Sequence, residues 1–283
     1  MTTSLTTTVA SSRAELLRLR KWPAFWVLLG TWIALNISFA YVFNYLAYRN
    51  GDAGENGLPP EALLRQLLPA AVPEVFVQGM AMFGGALLMI LGALATGSGY
   101  GWGTWKTVFT QRPSRTAAVT GVVVTLTGVV VGVVLTAFVV DLAVACTIAV
   151  VEAQPIELPT ASASMVGIAS GIAILEMWTL AGVFIGIIAR GPALAVGLGL
   201  VWVLVVENLL RGVATILGPL RVVTDYLPGT AAGSLAGAAR TLPGDPVPGV
   251  LDVLTRSQSV VTLLVYLVLF VVGTVLLVRY RDV

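Results

Sequence analysis

Six windows of predominantly apolar residues, each long enough for a bilayer-crossing helix, recur along the chain between clusters of Pro, Gly and charge. A crossing helix needs about 20 such residues, and a backbone without water must satisfy its hydrogen bonds internally, which in a single segment means a helix. The windows run over 22–48, 75–98, 117–151, 161–189, 193–210 and 259–278. The rest of the composition agrees: 57% of residues are hydrophobic and 11% charged, against about 25% charged in soluble domains, and the mean hydropathy is +0.93. The expected fold is all-α, a polytopic membrane protein with six transmembrane helices.

Charge gives this fold a direction. Loops rich in Lys and Arg stay in the cytoplasm. With both termini there, the inner set holds ten basic residues (Arg13, Arg18, Arg20, Lys21, Lys106, Arg112, Arg115, Arg190, Arg279 and Arg281) against Glu15 and Asp282. The outer set holds six basic residues against nine acidic ones. The Ser/Thr-rich segment 1–12 reads as a disordered tail, and 13–283 as one six-span domain. Arg13, Arg18, Arg20 and Lys21 mark an interfacial helix before the first span, although Leu16, Leu17 and Leu19 do not form a clean apolar face. The first window is too long for a secretory apolar region, so the first span is expected to be retained. The chain is expected in the cell (plasma) membrane, multi-pass, with the lipid bilayer as a partner.

Several chemistries are excluded. Without any histidine, Ser-His-Asp and Cys-His catalysis and HExxH zinc sites have no basis. The one cysteine, Cys146, allows no disulfide within the chain. Neither lysine, Lys21 or Lys106, is preceded by glycine, so no Walker A loop exists. A net charge of +2 is too small for nucleic-acid binding. The chain is expected not to be an enzyme and to carry no metal or cofactor.

Between the second and third windows lies GSGYGWGTWKTVFTQRPSR, aromatic and basic, composed like a helix on the membrane surface. Its part from Gly101 to Arg115 resembles the first cytoplasmic loop of ABC-2 type permeases, the membrane subunits of many bacterial ABC exporters. RAELLRLRKWPAFW resembles the basic connecting helix of that family, and DYLPGTAAGSLAGA its outer segment before the last span. The resemblance implies a coupling helix docked on a separate ABC ATP-binding subunit through Tyr100, Trp102, Gly103, Thr104, Trp105, Lys106, Arg112 and Arg115. ATP and Mg would then belong to that partner, and a second permease copy or a homologous permease would complete the unit. Family members often carry an acid just before this run, where this chain has Gly99, so any contact that acid makes is missing or replaced. A different class remains open, an ion-coupled secondary carrier using Glu176, or a non-transporting scaffold or sensor.

Three acids fall within windows or at their ends. Counted from Arg190, Glu176 lies 14 residues in, about 21 Å along a helix and past the middle of a core about 30 Å thick. An acid at that depth is a candidate for the translocation path. Asp141 and Glu207 count out to the outer interface, where water or snorkelling would serve them. Gly128-x-x-x-Gly132, Gly167-x-x-x-Gly171 and Gly182-x-x-x-Gly186 allow close helix packing. The outer segment 211–258 is long for a simple connection, and short helices dipping into the outer leaflet are expected there.

Overall fold

The computed structural model describes residues 2–52, 57–110, 114–240 and 247–280, and among these all regular structure is helical. The helices are α1 (Thr2–Lys21), α2 (Pro23–Asn50), α3 (Pro60–Leu67), α4 (Val72–Gln78), α5 (Gly85–Gly101), α6 (Thr104–Thr110), α7 (Arg115–Val151), α8 (Ala161–Ala189), α9 (Pro192–Ile216), α10 (Arg221–Thr224), α11 (Pro228–Gly237) and α12 (Arg256–Tyr280). Five of them, α2, α7, α8, α9 and α12, are long and apolar enough to cross a membrane.

The window expected to form a second single span is divided. α4 ends at Gln78, a π turn follows over Met80–Gly84, with the Gly84 N–H reaching back to the Gly79 carbonyl at 3.1 Å, and α5 adds 17 residues, about 25 Å of helix. Glycine weakens a helix interior, and two tryptophans press on this turn. A Cβ at Gly84 would stand 3.0 Å from the Trp32 ring, and one at Gly85 would collide with the Trp178 indole. The third window, by contrast, is one unbroken helix of 37 residues, capped by the Ser114 hydroxyl, which accepts from the Ala117 N–H. At about 55 Å it exceeds the bilayer core and must tilt or protrude.

α8 is the centre of the bundle, with 67% of its most apolar window buried, against 11% for α12. It packs on α5, α7, α9 and α12. The α5/α8 contact is main chain against main chain. A Cβ on Gly92 would strike the Thr179 carbonyl, one on Gly182 the Met89 carbonyl, and one on Gly186 the Thr96 hydroxyl. Gly167 and Gly171 meet Pro73, Phe76 and Met80. Gly128 and Gly132 have nothing within 4 Å. Two of the three small-residue pairs are therefore used inside the chain. α12 turns Val261, Leu264, Val265, Val268, Leu269, Val272 and Leu276 outward, an apolar stripe suited to lipid.

The amino-terminal tail is not irregular: α1 begins at Thr2. Small side chains let it lie on α7, where Ser11 leaves no room for a side chain at Gly121. The Thr125 hydroxyl donates to the Ser12 carbonyl at 3.1 Å, and the Ser12 hydroxyl to the Gly121 carbonyl at 3.3 Å. Leu19 is buried, whereas Leu16 and Leu17 are exposed. Burial pushes the Glu15 carboxyl upward, and the Arg18 guanidinium bonded to it pulls it back.

At the opposite end α2 and α7 are joined by Glu152, which accepts from the Tyr45 hydroxyl at 2.7 Å, the Tyr48 hydroxyl at 3.1 Å and Arg49 at 3.2 Å. The Tyr45 bond leads in holding this carboxyl below the ordinary carboxylate range. The outer segment also folds. α11 is enclosed from Pro228 to Ala236 by α4, α8, α12 and the π turn at Met80–Gly84. The returning chain lies on it, with the Leu251 N–H bonded to the Gly233 carbonyl at 3.0 Å and the Leu254 N–H to the Ser234 hydroxyl at 3.2 Å. The short helices expected in this segment are present, and α11 is held within protein.

Candidate functional site

The loop singled out by its aromatic and basic residues forms a compact corner. α5 continues to Gly101, the chain turns through Trp102 and Gly103, and α6 follows, packed against α5. Gly103 has φ +67°, a conformation that side chains resist. Trp105 is buried, its indole N–H donates to the Thr96 carbonyl at 3.0 Å, and its ring covers Gly99 so closely that any side chain there would collide. The Trp105 ring thus leaves room only for glycine at position 99. Tyr100 lies 6.1 Å from the Trp105 ring. Thr104, Lys106 and Thr107 are exposed, and Trp102 is 66% exposed. Arg115 opens α7, and Arg112 lies outside the described residues.

Basic residues of α1 reach the same corner. Trp22 meets Trp102 edge-on at 6.3 Å, and Arg18 lies over the Trp22 ring while donating to the Ala95 carbonyl at 2.7 Å. Arg13, Arg20 and Lys21 are exposed. The turn between α8 and α9 closes the corner. Arg190 adopts φ +54°, ending α8 in the left-handed cap conformation, and Gly191 and Pro192 press on Gly97 and Gly101.

The three acids of the windows lie elsewhere and do not converge. Glu176 on α8 accepts from the Thr127 hydroxyl of α7, and its buried second oxygen has no hydrogen bond among the described residues. Asp141 on α7 accepts from the Asn36 amide of α2, and its second oxygen likewise has none among the described residues. Glu207 on α9 follows a π turn at Val201–Val206. It accepts from the Trp202 indole at 2.8 Å and the Gly229 N–H at 3.2 Å, with Arg211 at 3.7 Å. Asp141 and Glu207 are 0% and 1% exposed, and Glu176 is 9% exposed. Both acids expected to meet water at the outer interface are enclosed by protein instead. Counting along a helix reads depth, and it is blind to a neighbour such as Asn36 or to the α11 terminus that folds back onto Glu207.

Glu207 has a clear structural task. α11 has no side-chain cap of its own, and a carboxylate at a helix N-terminus satisfies orphan N–H groups and favours the dipole. Glu207→Leu is expected to lower stability by about 1–2 kcal/mol and Glu207→Gln by less, read as thermal midpoints by fluorescence-detected gel filtration. Equal midpoints for the two variants would overturn the capping role. Asn36, Thr127 and Trp202 were missed as partners of these acids. Asn36 had a signal in WIALNISFA, a lone amide in an apolar window, where such groups bond across helices.

No protein-family model matches the chain, and no curated protein matches it at a significant level. The structure supports an all-α protein with five candidate membrane spans, and thus a multi-pass membrane protein.

Proposed function

We propose that the chain is the membrane-spanning permease subunit of an ABC exporter, driven by a separate ATP-binding subunit that docks on the loop 99–115. The observation that carries this reading is α6. It is a short helix tied to α5 by Trp105, with Thr104 and Lys106 exposed on it and Trp102 exposed in the turn before it. In this reading the α4–α5 run is a sixth, broken crossing. α2 and α7 meet at two successive levels: Asn36 on Asp141 midway, Tyr45 and Tyr48 on Glu152 farther along both. They run in the same direction, and the chain between them must return across the bundle. With six crossings both termini and α6 would share one side, and the sorting of basic residues supports reading that side as cytoplasmic.

The test is a mild-detergent pull-down of the tagged full chain from its native membranes, with partners identified and nucleotide hydrolysis assayed in the eluate. A stoichiometric Walker-motif ATPase supports the proposal. Its repeated absence from intact, folded protein refutes it. Glu176 is the candidate for the translocation path because it counts deepest of the three acids, 14 residues in from Arg190. Glu176→Gln is expected to lower transport with expression unchanged, and unaltered transport across several substrates would remove Glu176 from the path.

A further inference from the structure

One side of α1 is left uncovered. At about 100° per residue, Val9, Arg13, Leu16, Leu17, Arg20 and Lys21 fall within about 140° of arc, and all six are exposed. The opposite side is occupied: Ser11 and Ser12 lie on α7, Leu19 is buried, and Glu15 is paired with Arg18. The outward face thus carries three cations and no acid. Arg13, Arg20 and Lys21 form no ion pair among the described residues.

Leucines interleaved with cations suit an acidic protein or a bilayer with anionic headgroups, and the position of the face favours the bilayer. Trp26, at the start of α2, donates its indole N–H to the Arg20 carbonyl at 2.9 Å, and Trp26 and Val27 are 55% and 65% exposed. Only 17% of the apolar window of α2 is buried, so these two side chains open the lipid-facing side of that span. The end of the outward face of α1 adjoins it. An indole settles at the level of the headgroups, which sets Arg20 and Lys21 at that level too.

We propose that this face binds anionic phospholipid, with Arg13, Arg20 and Lys21 on headgroup phosphates and Leu16 and Leu17 against the upper part of the acyl chains. Long basic stems lie along apolar surface while their charged heads reach outward, so leucines and cations on one face are served by the same lipids. Each cation near an anionic membrane surface strengthens binding by about fivefold. The inference rests on the chain's being a multi-pass membrane protein and not on the transport reading, since lipid binding is measured without any ATPase.

The test adds phosphatidylglycerol, or phosphatidylcholine with the same acyl chains, to the purified full chain in detergent and counts bound lipids by native mass spectrometry. Tighter binding of phosphatidylglycerol is expected. Arg13→Gln, Arg20→Gln and Lys21→Gln together are expected to weaken it by about a hundredfold and to leave phosphatidylcholine binding unchanged. Neutralising Arg65 and Arg221, exposed cations outside α1, is expected to change neither. Equal affinity for the two lipids, or the same loss per cation at Arg65 and Arg221, overturns the proposal. So does a protein that co-purifies with the parent from native membranes and is lost from the triple variant while the lipid preference persists, because the face then belongs to that protein. If the triple variant fails to fold, the three single variants decide, at about fivefold each.

Discussion

Gly182→Leu is expected to leave little folded protein, whereas Gly128→Leu, in a motif of the same form, is expected to leave stability within about 0.5 kcal/mol of the parent. At Gly182 a Cβ would strike the Met89 carbonyl and approach the Ala93 nitrogen at 2.9 Å. Both obstacles are backbone, so no rotamer change can relieve them. The α5 and α8 main chains must part, and with them the contacts at Gly92 and Gly186. Overpacking ordinarily costs about 1–3 kcal/mol. Separating two main chains belongs at the upper end or beyond, a large share of a stability of about 5–15 kcal/mol. Fluorescence-detected gel filtration with a thermal ramp reads the result. A monodisperse Gly182→Leu with the parental midpoint would show that α5 and α8 do not meet as described.

That contrast marks where the sequence was readable and where it stopped. The apolar windows at 117–151 and 161–189 became α7 and α8, because apolar length and the absence of breakers are local properties. The polar caps Ser114 and Thr160 act within three residues of themselves, accepting from Ala117 and Ala163. The window at 75–98 departs from a single helix at Gly79, and the π turn that follows is crowded by Trp32 from α2 and Trp178 from α8, out of reach of any local pattern. The same holds for the glycine pairs. Three motifs look alike in the sequence, and only the packing separates Gly182 and Gly186, which are used, from Gly128 and Gly132, which are not. The composition of 1–12 suggests a disordered tail, yet the small Ser11 and Ser12 allow close approach to Gly121, and the Ser12 carbonyl accepts from Thr125. At the candidate site the residues Trp102 to Lys106 were legible as a surface helix. That Trp105 faces inward and fixes Gly99 was not, since one aromatic among several carries no sign of which will be buried.

The docking reading makes its sharpest prediction at that corner. Thr104→Arg and Gly103→Asp are expected to abolish co-purification of the ATPase and its nucleotide hydrolysis, with membrane insertion retained. Thr104 is exposed, so an Arg there changes the surface of α6 without entering the core. Gly103 has open space for a Cβ but a positive φ, so Asp adds strain and a negative charge at the turn that aims α6. Trp105→Ala tests the support: it removes the side chain that fills the space over Gly99 and bonds Thr96, freeing α6 from α5. A nucleotide-bound partner can shift the spans only through contacts that differ between two arrangements. α6 is bonded to α5, and α5 is interlocked with α8 at Gly92, Gly182 and Gly186, so a displacement of α6 has a rigid route to the centre of the bundle. Trp105→Ala is therefore expected to retain some ATPase binding while losing transport, a separation that the surface variants do not produce. Stoichiometric, coupled ATPase in both Thr104→Arg and Gly103→Asp would refute docking at this corner.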